Sequence, residues 1–305
     1  TLMQLRIAVL LEYPIKRERS AGAMGDFMAE RTQRLAEKIV VLSIPFDRNS
    51  SFSQGSALAP LLIKEALFSE STNLWTENGI DLEQLPEWQI LDELNLLDSR
   101  SAFAQIENKL DALLKSKARV ISLGGDHSIT YPIIRAYGKR YRNLNILQLD
   151  AHPDLYDELD GNRFSHASPF ARIMEKNLVN RLVQIGIRSL TGHQREQAQR
   201  FGVEIIEMKE INRANEIVFD GPVYLSLDMD CLDPAFAPGV SHHEPGGIST
   251  REVLGIIQNI SGNLIGADIV EYNPERDPQG ITGMVASKLL KEIIGRILED
   301  KNNKD

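Results

Sequence analysis

From residue 39 onward the chain alternates short β-branched or aliphatic runs with longer stretches of helical periodicity. The runs are 39–44, 119–123, 144–149, 182–187, 203–208, 223–227 and 264–270, and the helical stretches are 61–68, 102–114, 133–141, 194–201, 250–259 and 284–298. A continuous apolar run of strand length marks a strand buried on both faces, and such runs alternating with helices predict a mostly parallel sheet with crossover helices. No Pro/Gly/Ser-rich linker interrupts the series, so a single domain is expected over 39–305. Residues 1–38 do not share the pattern: Lys16, Arg17, Glu18 and Arg19 are followed by Ser20, Gly22 and Gly25, which reads as a peripheral N-terminal arm.

Composition narrows the function classes. Of 305 residues, 42% are hydrophobic and 25% charged, an ordinary globular balance. The formal net charge of −9 argues against nucleic acid as the partner, because phosphate binding needs a basic face. Cys231 is the one cysteine, so no internal disulfide forms and a reducing compartment is expected. The apolar run 7–11 ends at Glu12, too short for a membrane span or a signal core, so the expected setting is cytoplasmic, away from membranes.

Three strand candidates end in polar clusters. Run 119–123 leads into Gly124-Gly125-Asp126-His127-Ser128, run 144–149 into Asp150-Ala151-His152-Pro153-Asp154, and run 223–227 into Asp228-Met229-Asp230-Cys231-Leu232-Asp233-Pro234. Ligands of parallel α/β sheets bind beyond the carboxyl ends of strands, so the three clusters point to one shared site. In an extended segment alternate residues share a side, which would bring Asp150, His152 and Asp154 together, and likewise Asp228 and Asp230. Cys231 would then face the core. One Asp-x-Asp or Gly-Gly-Asp is ordinarily a turn. Four carboxylates gathered with imidazoles are different, since they repel one another unless cations neutralise them. A pair of divalent ions is the simplest solution, and carboxylates mixed with imidazole suit Mn²⁺ better than a cysteine-rich structural zinc site.

At these motifs the chain resembles the ureohydrolase family of arginases, agmatinases and related guanidino hydrolases, over about 49–298. Within it the likeness is greatest to plant-type arginases, through Asn49-Ser50-Ser51-Phe52, Tyr156-Asp157, Ser165-His166-Ala167-Ser168, Phe236 to His242 and Glu244-Pro245-Gly246-Gly247. The resemblance implies a three-layer α/β/α domain around a mostly parallel eight-stranded sheet, assembled as a homo-trimer or homo-hexamer. It also implies two Mn²⁺ bridged by hydroxide. One ion would take His127, Asp150, Asp154 and Asp228, and the other His152, Asp150, Asp228 and Asp230. Asp126 would orient an imidazole from behind, His166 would shuttle protons, and Glu271 would hold the guanidinium.

The reaction so implied is cleavage of a guanidino C–N bond to urea and an amine, on a small cationic substrate. L-arginine would give ornithine, and agmatine would give putrescine, an entry to polyamine biosynthesis. Tyr156 stands where animal arginases carry the Asn that reads the substrate carboxylate, so the two substrates stay open. Tyr156, Asp157, Ser165 and His242 are candidate contacts for the substrate tail, with Glu158 beside them. His242 and His243 lie in a Gly/Pro-rich loop, 238–247, where bracing is an equal alternative, and His193 reads as structural. The alternatives are another guanidino hydrolase acting on guanidinobutyrate or guanidine, a catalytically silent metal-binding regulatory subunit, or a one-zinc deacetylase of related architecture.

Overall fold

The computed structural model describes residues 37–96 and 101–302, so the expected arm at 1–38 lies outside the described residues except for its last two. The strands are β1 (Ile39–Ser43), β2 (Trp88–Ile90), β3 (Arg119–Leu123), β4 (Asn145–Leu149), β5 (Arg181–Ile187), β6 (Glu204–Glu207), β7 (Pro222–Asp228) and β8 (Asn263–Val270). The helices are α1 (Ala59–Leu67), α2 (Ala102–Lys115), α3 (Thr130–Gly138), α4 (Pro169–Glu175), α5 (Gly192–Phe201), α6 (Thr250–Gln258) and α7 (Ile281–Asn302). All eight strands join one sheet in the order β2-β1-β3-β8-β7-β4-β5-β6, and every pairing is parallel.

Strand alternation explains the three layers. In β1, Ile39 and Val41 pack into one core while Val40 and Leu42 pack into another, and all four are fully buried. The first core is closed by α1, α6 and α7, through residues such as Ile63, Val253 and Ile293. The second is closed by α2, α3, α4 and α5, through Ile106, Ile133, Phe170 and Ala198. A strand covered on both faces has no wet side to carry polar residues, which is why these segments read as unbroken apolar runs. No described helix is long and apolar enough to cross a membrane.

Two elements were not legible as pattern. β2 is a three-residue edge strand, Trp-Gln-Ile, too short for any period to register. α4 is a seven-residue helix opening at Pro169, where the missing N–H removes no intrahelical bond. α3 begins at Thr130, three residues ahead of the expected start, because Pro132 falls in its first turn and is tolerated there.

The strand order positions the site. β3, β8, β7 and β4 are consecutive neighbours in mid-sheet. Their carboxyl ends carry the Gly-Gly-Asp-His turn, Glu271, Asp228 and the Asp150 segment in turn. Segments distant in sequence therefore meet over one stretch of sheet edge.

Candidate active site

The clusters do converge, by a different local geometry from the extended alternation expected of them. β4 ends at Leu149, the Asp150 carboxylate accepts the His152 N–H at 2.6 Å, and Asp154 sits in the left-handed region at φ 48°. Likewise Asp228 Oδ1 accepts the Asp230 N–H at 2.8 Å, closing a single 3₁₀ turn. Carboxylate-capped turns, not pleating, aim these side chains, because the strands stop before the motifs do. Cys231 packs fully buried in the apolar core, as expected.

His127 is the hub. Its Nδ1 lies 3.2 Å from Asp150 Oδ2, 3.0 Å from Asp154 Oδ2 and 3.0 Å from Asp228 Oδ2. His152 Nδ1 lies 3.0 Å from Asp230 Oδ2 and 3.6 Å from Asp150 Oδ1. Two donor groups suited to a cation result, His127–Asp150–Asp228 and Asp150–His152–Asp230, sharing Asp150.

Whether the residues fit a cation is decided behind His127. Its Nε2 lies 2.9 Å from Ser226 Oγ, and that hydroxyl donates to Asp268 at 2.7 Å. Asp268 also accepts from Thr130 and Tyr224, so its oxygens are anchored. With its own proton directed to Asp268, Ser226 accepts the Nε2–H, so the neutral imidazole keeps its lone pair on Nδ1. Nδ1 is buried and makes no hydrogen bond despite its three carboxylate neighbours. A lone pair facing carboxylate oxygens is repulsive unless positive charge stands between them. Burial opposes that charge on the ring, yet Asp150, Asp154 and Asp228 raise His127 well above the usual imidazole range, a demand for positive charge that a metal cation would also meet. Burial and the Asp150 charge push Asp154 up to about 6, and burial with Asp230 and Asp150 drives Asp228 well above the usual carboxylate range. The protein alone thus does not carry all four charges, and the donor set fits divalent cations.

Asp126 departs from the expected role. Its carboxylate touches no imidazole; it accepts the N–H of Asn49 at 2.8 Å and the N–H and hydroxyl of Ser128, capping the turn that presents His127. Burial and the Glu271 charge push it up to about 7. Ser226, with Asp268 behind it, takes the orienting part instead. Gly125 is required beside Asp126, since a Cβ there would lie 2.1 Å from the Phe46 carbonyl oxygen.

Glu271 and His166 form the second part of the site. Glu271 is held in the left-handed region at φ 63°, its N–H on Gly125 O at 2.8 Å. A non-glycine residue there is strained, a state that persists where neighbouring contacts over-determine it. Glu271 Oε1 accepts the His127 N–H at 2.8 Å and lies 3.0 Å from His166 Nδ1, while His166 Nε2 lies 2.8 Å from Ser51 Oγ. Burial opposes charge on His166, but Glu271 outweighs it and brings the imidazole to about 9.

These groups open into a cavity of about 200 Å³, lined by Ser51, His152, Asp154, Tyr156, Leu159, His166, Ala167, Ser189, Gln194, Asp228, Asp230, His242 and Glu271. That volume falls below the range of about 300–1,000 Å³ for clefts that hold drug-sized ligands, so it suits a compact molecule. Of the tail candidates, Tyr156 and His242 line it. The His242 ring is tilted against His166 at 5.3 Å, and burial with the His166 charge lowers its pKa. Asp157 and Ser165 lie outside the lining. Arg163 and Arg172 both bind the Asp157 carboxylate, and Ser165 Oγ accepts the Ala167 N–H. His243 braces the loop on Pro238 O, and His193 stacks on Tyr156 at 5.8 Å. Ser51 entered the sequence reading only within the motif Asn49-Ser50-Ser51-Phe52, and Ser189 and Gln194 were not singled out; of these two, Gln194 left a trace there, the capping box Thr191-x-x-Gln194.

An all-parallel α/β sheet with a cation-demanding carboxylate–imidazole cluster at its carboxyl edge defines the class of protein. The arginase family profile matches residues 37–295, and the chain belongs to the arginase family. It is 44% identical over 275 residues to the mitochondrial arginase of Medicago truncatula, covering 84% of this chain and 81% of that protein. The solved structure of an arginase from Medicago truncatula superposes with a TM-score of 0.83 at 41% identity, over 89% of this chain and 92% of that one. An agmatinase of Cronobacter sakazakii is 32% identical over 84% of this chain and 86% of its own length.

Proposed function

We propose that the chain is a two-Mn²⁺ ureohydrolase that cleaves a guanidino C–N bond to release urea, from L-arginine or from agmatine. One observation carries this reading: two cation-suited donor groups share Asp150, and their members His152, Asp228 and Asp230 line the same cavity as the Glu271–His166 pair. His127, Asp150, Asp154 and Asp228 would hold one ion, and His152, Asp150, Asp228 and Asp230 the other. When bound, the ions supply a water acidified enough to act as a nucleophile at neutral pH.

The side chains do the rest. A guanidinium is resonance-stabilised and cationic, so it needs an anionic partner to hold it in place, and buried Glu271 supplies one. The reaction consumes one water and yields urea and a protonated amine, so the departing nitrogen must gain protons. His166, charged beside Glu271 and facing the cavity, is placed to deliver one. Its contact with Ser51 fixes the ring plane.

Urea release should be measured with the Mn²⁺-loaded protein on L-arginine, agmatine, 4-guanidinobutyrate and guanidine in parallel, alongside metal analysis. About two Mn²⁺ per chain and urea from at least one substrate are expected; no urea from any of them rejects the reading, and a single Zn²⁺ per chain rejects the cofactor. His166→Ala should keep both ions while turnover falls about 10²–10⁴-fold, the usual worth of a positioned proton donor. Unchanged turnover would remove His166 from the reaction.

A further inference from the structure

Both ring nitrogens of His166 are taken by protein groups. Nδ1 lies 3.0 Å from Glu271 Oε1, and Nε2 lies 2.8 Å from Ser51 Oγ. A carboxylate only accepts, and Oε1 already holds the His127 N–H, so the Nδ1 proton is committed to Glu271. The proton that His166 can give up is therefore the one on Nε2, and it points at Ser51.

Ser51 stands where that proton must leave. His166 is 8% exposed, whereas Ser51 is exposed and lines the same cavity. A hydroxyl both accepts and donates, so Ser51 pairs with the charged ring as acceptor and with the neutral ring as donor. The contact is held from behind. Asn49, two residues earlier, donates its N–H to Asp126 Oδ2 at 2.8 Å and its side-chain amide to Ser128 Oγ at 3.0 Å. The Asn49 carbonyl accepts the His166 N–H at 3.1 Å. One anchor thus fixes the Ser51 segment and the His166 backbone to each other.

We infer that Ser51 is a catalytic residue, a hydroxyl relay that carries the His166 proton to the departing amine. The inference rests on the ureohydrolase reading and deepens it. As the C–N bond breaks, its electron pair stays on the amine nitrogen and takes the Ser51 proton. Ser51 Oγ takes the Nε2 proton in the same step, so the hydroxyl is restored. His166 is left neutral, its Nδ1–H still on Glu271, and a proton from solvent returns to Nε2 by the reverse path.

The test compares kcat and KM of the Mn²⁺-loaded wild type, Ser51→Ala and Ser51→Thr on L-arginine and agmatine. Ser51→Ala should lower kcat about 10²-fold with KM little changed, the lower end of what a positioned proton donor is worth, because His166 remains. Ser51→Thr keeps the hydroxyl and should recover most of the loss. Added imidazole should raise kcat of Ser51→Ala in proportion to its concentration, a response that a merely tilted ring would not give. Unchanged kcat in Ser51→Ala, no recovery in Ser51→Thr or no response to imidazole overturns the inference and leaves the ureohydrolase reading intact. A wild type that releases no urea rejects that reading instead. Proton NMR of the metal-free protein then tests the contact without turnover: near neutral pH the His166 Nε2–H signal should be present in the wild type and lost to solvent exchange in Ser51→Ala. A signal equally strong in both, or absent from both, overturns the relay.

Discussion

Asp228→Ala protein is expected to lose its bound metal and its activity together. Asp228 lies in the His127 donor group, and its other oxygen holds the Asp230 N–H at 2.8 Å. Removing the carboxylate therefore takes one oxygen from the His127 side and undoes the turn that aims Asp230 at His152. Activity should fall well below one hundredth of wild type, because even the outer partners of metal ligands are each worth about 10–100-fold. Asp228→Asn separates the two effects: its amide oxygen still accepts the Asp230 N–H, so the turn survives while the charge is gone. The melting temperature adds an independent readout. Burial beside Asp230 and Asp150 makes the Asp228 charge unfavourable in metal-free protein, so Asp228→Asn should leave that form as stable or more stable. Added Mn²⁺ should raise the melting temperature of wild type by mass action and fail to raise that of either variant. A variant that still binds two ions and melts higher on their addition would show that Asp228 is not shared between them.

The layered sheet was legible because both its faces are covered: a chain that must bury Val40 and Val41 on opposite sides writes the strand as an unbroken apolar run. β2 was not legible, since three residues paired along one edge need no pattern. The cluster residues were visible as types and spacings, but their geometry was not. Asp154 and Glu271 adopt positive φ, and no rule of alternation foresees that in a residue other than glycine. Asp126 was misassigned for a related reason. In sequence it adjoins His127, whereas the imidazole is oriented from Ser226, which belongs to another strand. Long-range partners of this kind follow from strand order, and strand order is not written in any one segment. Asp157 shows the converse: its carboxylate is of the right type at the right place, yet two arginines already hold it.

Arg188 should prove the most sensitive position outside the cavity lining. It follows β5, and its guanidinium donates only to backbone carbonyls: Nη2 to Asp230 O at 2.7 Å and Glu244 O at 2.7 Å, Nε to Glu244 O at 2.9 Å, and Nη1 to Cys231 O at 3.1 Å. One side chain thus ties the turn that presents Asp230 to the loop that carries Glu244. Space around it is closed, for a Cβ on Gly247 would lie 2.7 Å from Arg188 Nη2. Arg188→Ala leaves several carbonyls without their donors, at about 1–3 kcal/mol for each that water does not reach, so a loss of about 3 kcal/mol is expected. Denaturant unfolding of the metal-free protein measures it. The functional loss should be selective: Asp230 and His152 share one donor group, so that ion should be lost first on dilution into chelator while the His127 ion is retained. Arg188→Lys should recover part of the stability but not the selective retention, since three rotatable donors on one nitrogen do not span carbonyls on two segments. Equal loss of both ions would show that Arg188 supports the fold at large, and an unchanged unfolding midpoint that the carbonyls are satisfied without it.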